Sequence, residues 1–210
     1  MNSSTSSLRR KVAREAALLL YTLQEKEFKQ AKERAARNLG LRILPTNLEV
    51  AEELDLIADE YEGESRWKRL IRMRKEALEI METLKDFHPR LIGSVWRGTA
   101  NKNSDIDIVV FSQNGRSVVR ALSTKGFKIA NIEKISVIKD GTSNQVLHIF
   151  LNLPSGDKVE IAVRSEEDLT KEERCEIYGD LKKGLNIVQL KNVLKKNPLQ
   201  RFIPKGKIRK

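Results

Sequence analysis

Up to about residue 88, apolar residues recur at intervals of three and four; from 89 to about 165 they alternate or run together. The first rhythm is that of amphipathic helices, the second that of strands. A helical region rich in Ala, Glu, Lys and Arg is expected from about Leu8 to Asn38, ending near Gly40, where glycine makes left-handed backbone cheap. After Pro45, Thr46 and Glu49 form a capping-box pattern. It opens a second helix whose stripe is Leu48, Ala51, Leu54, Ile57 and Ala58, and which ends at Gly63. A third helix runs from Ser65 to about Asp86, and its Trp67, Leu70, Ile71, Leu78, Met81 and Leu84 read as core.

Strands are expected near Arg90–Gly93 and Ile106–Phe111, then a helix near Ser117–Thr124. Further strands fall around Lys128–Ile138, Val146–Asn152 and Lys158–Val163, with Asp140-Gly141 and Pro154-Ser155-Gly156 as turns. Two closing helices, Ser165–Tyr178 and Asn186–Lys195, precede Pro198 and Pro204. The expected organisation is an N-terminal helical region over 1–88, a catalytic core over 89–165, and C-terminal helices with a basic tail over 166–210. The fold class is α+β, a mixed or antiparallel sheet with helices.

The chemistry concentrates in Leu91–Phe111, where Gly93-Ser94 is followed after ten residues by Asp105-Ile106-Asp107. Two residues apart on a strand, both carboxylates leave by the same face. Like charges so close raise each other's pKa unless a cation occupies the gap. A hard divalent ion bound through carboxylates and substrate phosphates suits that role, and magnesium, or manganese in its place, is the expected cofactor. Gly93 lets backbone approach a phosphate, and the Ser94 hydroxyl can donate to it.

Ile92-Gly93-Ser94, the ten-residue spacing and Asp105-Ile106-Asp107-Ile108, with Arg97-Gly98 and Ser104 around them, resemble the signature of the polymerase-beta-type nucleotidyltransferase superfamily. The resemblance spans about Pro89 to Arg164. It implies an α/β catalytic domain on a mixed sheet, a nucleoside triphosphate substrate with ATP first in line, and two magnesium ions. It also implies nucleotide binding by Gly93, Ser94, Arg97 and Ser104, and metal-holding catalytic roles for Asp105 and Asp107. A third carboxylate on a neighbouring strand is required. Glu160 is the preferred candidate, because Val159, Ile161 and Val163 alternate to the other face. The family more often has Asp there. Asp157, after Pro154-Ser155-Gly156, competes but reads as a hairpin residue. Arg97 and Lys102 could equally be solvated loop residues, and Ser104 could simply cap backbone.

Composition adds partners. The net charge is +11, and no acidic residue follows Asp180, whereas Lys182, Lys183, Lys191, Lys195, Lys196 and Arg201 do, then Lys205, Lys207, Arg209 and Lys210. That excess favours polyanions, and RNA is the acceptor it suggests, by phosphate attraction rather than base stacking, with aromatics at 5%. A solvated basic tail is the plain alternative. The lone Cys175, placed in an expected helix, allows no internal disulfide, and no membrane segment or cleavable signal is apparent, so a cytoplasmic location is expected. His88 and His148 read as structural. Two functions remain: a metal-dependent enzyme moving a nucleoside monophosphate from a triphosphate to an acceptor hydroxyl, or a catalytically inactive RNA-binding or protein-interaction module on the same fold. Acceptor identity stays open among an RNA 3′ end, a protein side chain and a small molecule.

Overall fold

The computed structural model describes residues 2–139 and 142–204, with side chains described outside 2–4 and 136–144. The Asp140-Gly141 turn and the last four basic residues lie outside the described residues. The chain forms two compact units: residues up to 66 with 101–103 and 175–180, and residues 67–100 with 104–174 and 181 onward.

The first unit is helical: α1 (Asn2–Tyr21), α2 (Phe28–Asn38) and α3 (Asn47–Glu62). Its core is mostly small, with Ala13, Ala16 and Ala17 of α1, Ala31 and Ala35 of α2, and Val50, Ile57 and Ala58 of α3. Small residues let helix backbones approach closely. The capping box is present, with Thr46 accepting from the Glu49 amide and Glu49 from the Thr46 amide. The single helix expected over Leu8–Asn38 is instead two. Leu23 takes a positive φ of 58°, and the amides of Gln24 and Glu25 both reach the Leu19 carbonyl. No glycine or proline marks that break.

The second unit is a five-stranded mixed sheet with helices, the α+β class expected. Helix α4 (Glu64–Thr83) and a 3₁₀ turn at Lys85–Phe87 lead to β1 (Arg90–Ile92), the short α5 (Gly93–Arg97), β2 (Ile106–Phe111) and α6 (Gly115–Thr124). The β3 (Ile129–Lys139) and β4 (Thr142–Asn152) hairpin, β5 (Lys158–Arg164), a 3₁₀ turn at Glu166–Thr170 and α7 (Ile187–Lys196) follow. The order is β1-β2-β5-β4-β3. Only β2 and β5 are parallel.

One face of the sheet packs on α4 and α6 through Ile106, Ile108, Val110, Ile161, Met73, Ile80, Met81 and Leu122, all essentially inaccessible. At roughly 25 cal/mol per Å², this burial is the main force holding the helices to the sheet. The opposite face carries Asp107 and Glu160 together with the apolar Ile92, Val109 and Phe111. Trp67 departs from expectation: it is 49% exposed, because the buried apolar stripe of α4 begins a turn later at Leu70 and continues through Met73, Ala77 and Ile80. The helix expected over Ser165–Tyr178 is also absent beyond the 3₁₀ turn. Thr170–Arg174 offers no apolar residue to bury, so the chain folds into an irregular clasp, with the Cys175 amide donating to the Asp180 carbonyl.

Candidate active site

The pairing register brings the acids together. Asp107 stands opposite Ile92 on one side and Glu160 on the other, and Asp105 precedes the first residue of β2 on the same alternation. Ile106 and Ile108 are fixed in the core, so the pleat sends these carboxylates to the open face. Burial, followed by the charges of Glu160 and Asp105, pushes the Asp107 carboxyl up to about 7. Asp105 is raised by burial, with Lys158 opposing and Glu160 and Asp157 adding to the rise.

Gly93 adopts a φ of +68°, and a Cβ built there would overlap Oδ2 of Asp107. The close approach that Gly93 permits is therefore to a carboxylate. Ser94 is half-buried at the start of α5, and its carbonyl accepts from the Thr99 amide at 3.0 Å. Ser104 is half-buried directly before Asp105. Glu160 is turned toward His148, whose Nδ1 lies 2.5 Å from Oε1.

Arg97 is not at the open face. It is 4% exposed, its guanidinium lies 4.3 Å over the Trp96 ring, and Nη1 donates to the Phe202 carbonyl at 2.8 Å. The Phe202 amide returns a bond to the Arg97 carbonyl. The expected phosphate ligand is a strut under the C-terminal segment, because Trp96-Arg97 ends α5 on its buried side. Lys102 belongs to the first unit: its amide donates to Glu62, its ammonium sits 4.5 Å over Tyr21, and neighbouring Asn103 donates to the Tyr21 carbonyl. Asp157 forms a two-bond pair with Arg72, which pins the β4–β5 hairpin to α4.

One supporting residue went unrecognised in the sequence. Arg74 is fully buried and donates to the carbonyls of Val95, Trp96, Pro198 and Gln200. Burial without a carboxylate partner lowers its pKa to about 10. A cation four residues after Leu70 and three before Ala77, inside the apolar stripe, was the available signal.

Among the described residues, no group of three or more His, Cys, Asp or Glu side chains is assembled to hold a metal ion. The donors nonetheless suit one. Asp105 and Asp107 are hard oxygen ligands, and the raised proton affinity of Asp107 is what a nearby cation would reverse. The third acid is engaged by His148.

Residues 72–183 match the family model described as Nucleotidyltransferase domain, a span that includes Gly93, Ser94, Asp105, Asp107 and Glu160. The chain belongs to this family. It is similar to Cid1 bound to the UTP analogue UMPNPP, at 20% identity and a TM-score of 0.36, over 53% of this chain and 36% of that one. It is likewise similar to a cytoplasmic RNA terminal U-transferase, at 17% identity and a TM-score of 0.35, over 53% and 36%. A third likeness is to the GLD-2/RNP-8 complex, at 14% identity and a TM-score of 0.34, over 59% and 44%. The chain spans less than half the length of each of these. No curated protein matches it.

Proposed function

We propose that this nucleotidyltransferase-domain protein transfers a nucleoside monophosphate, from ATP first, to a hydroxyl on RNA in a reaction that needs a divalent metal. The observation that carries the reading is the pairing of Asp107 with Glu160 on adjacent parallel strands, with Asp105 two residues upstream of Asp107 on the open face. The acceptor oxygen attacks the α-phosphorus, the bond to the pyrophosphate oxygen breaks, and the hydroxyl proton passes to Glu160. Asp105, Asp107 and Glu160 would hold magnesium or manganese, which supplies neutralisation of the phosphoryl charge and activation of the hydroxyl. Ser94, next to the Gly93 that closely approaches Asp107, donates to the leaving phosphates. RNA is favoured by the exposed Lys182, Lys183, Lys195 and Lys196 in a chain of net charge +11.

Engagement of Glu160 by His148 favours one other reading, a binding module that uses no metal. Labelled nucleoside triphosphates, magnesium or manganese, and total RNA separate the two. Metal-dependent label on RNA supports transfer; no label on any acceptor, with no metal binding by calorimetry, supports the module.

A further inference from the structure

The sheet face that carries the carboxylates does not end at them. Two residues beyond Asp107, about 7 Å along the strand, Val109 pairs with Arg90, and two further on Phe111 pairs with Arg164. By alternation these side chains share the face of Asp107 and Glu160. They floor and flank a cavity of about 230 Å³. Its far wall is the irregular clasp after β5, including Thr170, Lys182 and Lys183. That wall is tied down: the Lys182 amide donates to the Glu173 carbonyl at 2.7 Å and Leu185 exchanges two bonds with Leu91. Arg164 pairs with Glu173 at 3.0 Å, and Arg90 donates to the Lys183 carbonyl at 3.1 Å.

Position decides what this cavity takes. Strand β1 runs antiparallel to β2 and ends at Ile92 opposite Asp107, so Gly93-Ser94 follows at the Asp107 end of β1, whereas the cavity extends to its other end, where Arg90 pairs with Val109. In an in-line displacement the leaving and attacking oxygens stand on opposite sides of the phosphorus. With the leaving phosphates at Ser94, as the proposed function places them, the attacking hydroxyl comes from the cavity side. We infer that the cavity between the Val109–Phe111 face and the clasp at Lys182–Lys183 is the acceptor pocket, and that it takes the terminal nucleoside of an RNA strand. Ile92, Val109 and Phe111 give an apolar floor for a planar base. Lys182 and Lys183, exposed at the rim, meet the phosphate behind it. The volume falls below the ~300–1,000 Å³ of clefts that hold larger ligands, which suits one terminal residue and excludes a continuous duplex.

The test uses the full-length protein with a short single-stranded RNA carrying 4-thiouridine at its 3′ end. Irradiation is expected to crosslink the terminal base to peptides containing Phe111, Thr170 or Lys182. Two variants at exposed rim positions, the double Lys182→Ala/Lys183→Ala and the pocket-filling Thr170→Trp, are expected to raise the acceptor KM roughly tenfold or more. The triphosphate KM stays unchanged. A crosslink confined to other surfaces, or variants that move the triphosphate KM instead, would overturn the assignment. Crosslinking in the pocket by a protein that transfers nothing would support the pocket and remove the catalytic reading; transfer with the crosslink elsewhere does the reverse.

Discussion

Nδ1 of His148 lies 2.5 Å from Oε1 of Glu160. The histidine stands on β4 opposite Ala162, diagonal to the acid on β5. It holds the third carboxylate, while burial and then the charge of Glu160 raise the proton affinity of Asp107, and burial raises that of Asp105. Releasing Glu160 should therefore improve metal binding. His148→Ala is expected to show a larger manganese-induced rise in melting temperature than the parent, read by differential scanning fluorimetry. A smaller rise would mean that the histidine orients the acid for the ion, as ligand-supporting groups commonly do.

Asp107 sets a pH dependence in the metal-free protein. Its folded pKa of about 7 exceeds its ordinary 3.8, so the folded state binds the extra proton between those values. Its contribution to stability is complete below about pH 4 and is lost as pH rises through 7, with a ceiling on the order of 4 kcal/mol. In EDTA, Asp107→Asn is expected to melt higher than the parent at pH 8 and to lose most of that advantage at pH 5. Equal melting temperatures at pH 8 would rule out a cost of holding Asp107 charged in its buried place.

Gly93→Ala joins two costs. The left-handed backbone costs about 1–2 kcal/mol with a Cβ present, and the methyl overlaps the Asp107 carboxylate. Gly126, with a φ of +83° and open space where a methyl would stand, separates them. Gly126→Ala should lose the backbone cost alone and keep activity, whereas Gly93→Ala should lose more stability and roughly a hundredfold in turnover, since small displacements of reacting groups cost that much. Equal activities would show that the approach of Gly93 to Asp107 does not matter.

How much of this could be read from the chain varied with the kind of signal. Strong alternation around Val159, Ile161 and Val163 gave β5 and the face of Glu160, and the isoleucines flanking Asp107 did the same for β2. The Thr46 capping box and the Asn186–Lys195 helix were equally local, and both are present. What local pattern does not carry is where a side chain finds its partner. Arg97 reads as a loop cation and is buried against Phe202; Trp67 reads as core and lies on the surface. The α1–α2 break rests on one leucine in a rare conformation, with no sequence punctuation to announce it.

Arg74 should be a large determinant of stability. Its guanidinium satisfies four backbone carbonyls from two distant segments, and each buried acceptor left unpaired costs about 1–3 kcal/mol. Arg74→Met is expected to lower the urea unfolding free energy by about 3 kcal/mol or more. A loss within about 0.5 kcal/mol, the ordinary range for surface changes, would contradict this role.

The most direct test of the central claim is metal-dependent transfer of labelled nucleotide to RNA by the parent and by Asp105→Asn, Asp107→Asn and Glu160→Gln. The account predicts transfer by the parent with magnesium or manganese, none in EDTA, and loss of at least about a thousandfold in each variant. Undiminished transfer by Asp107→Asn would contradict it.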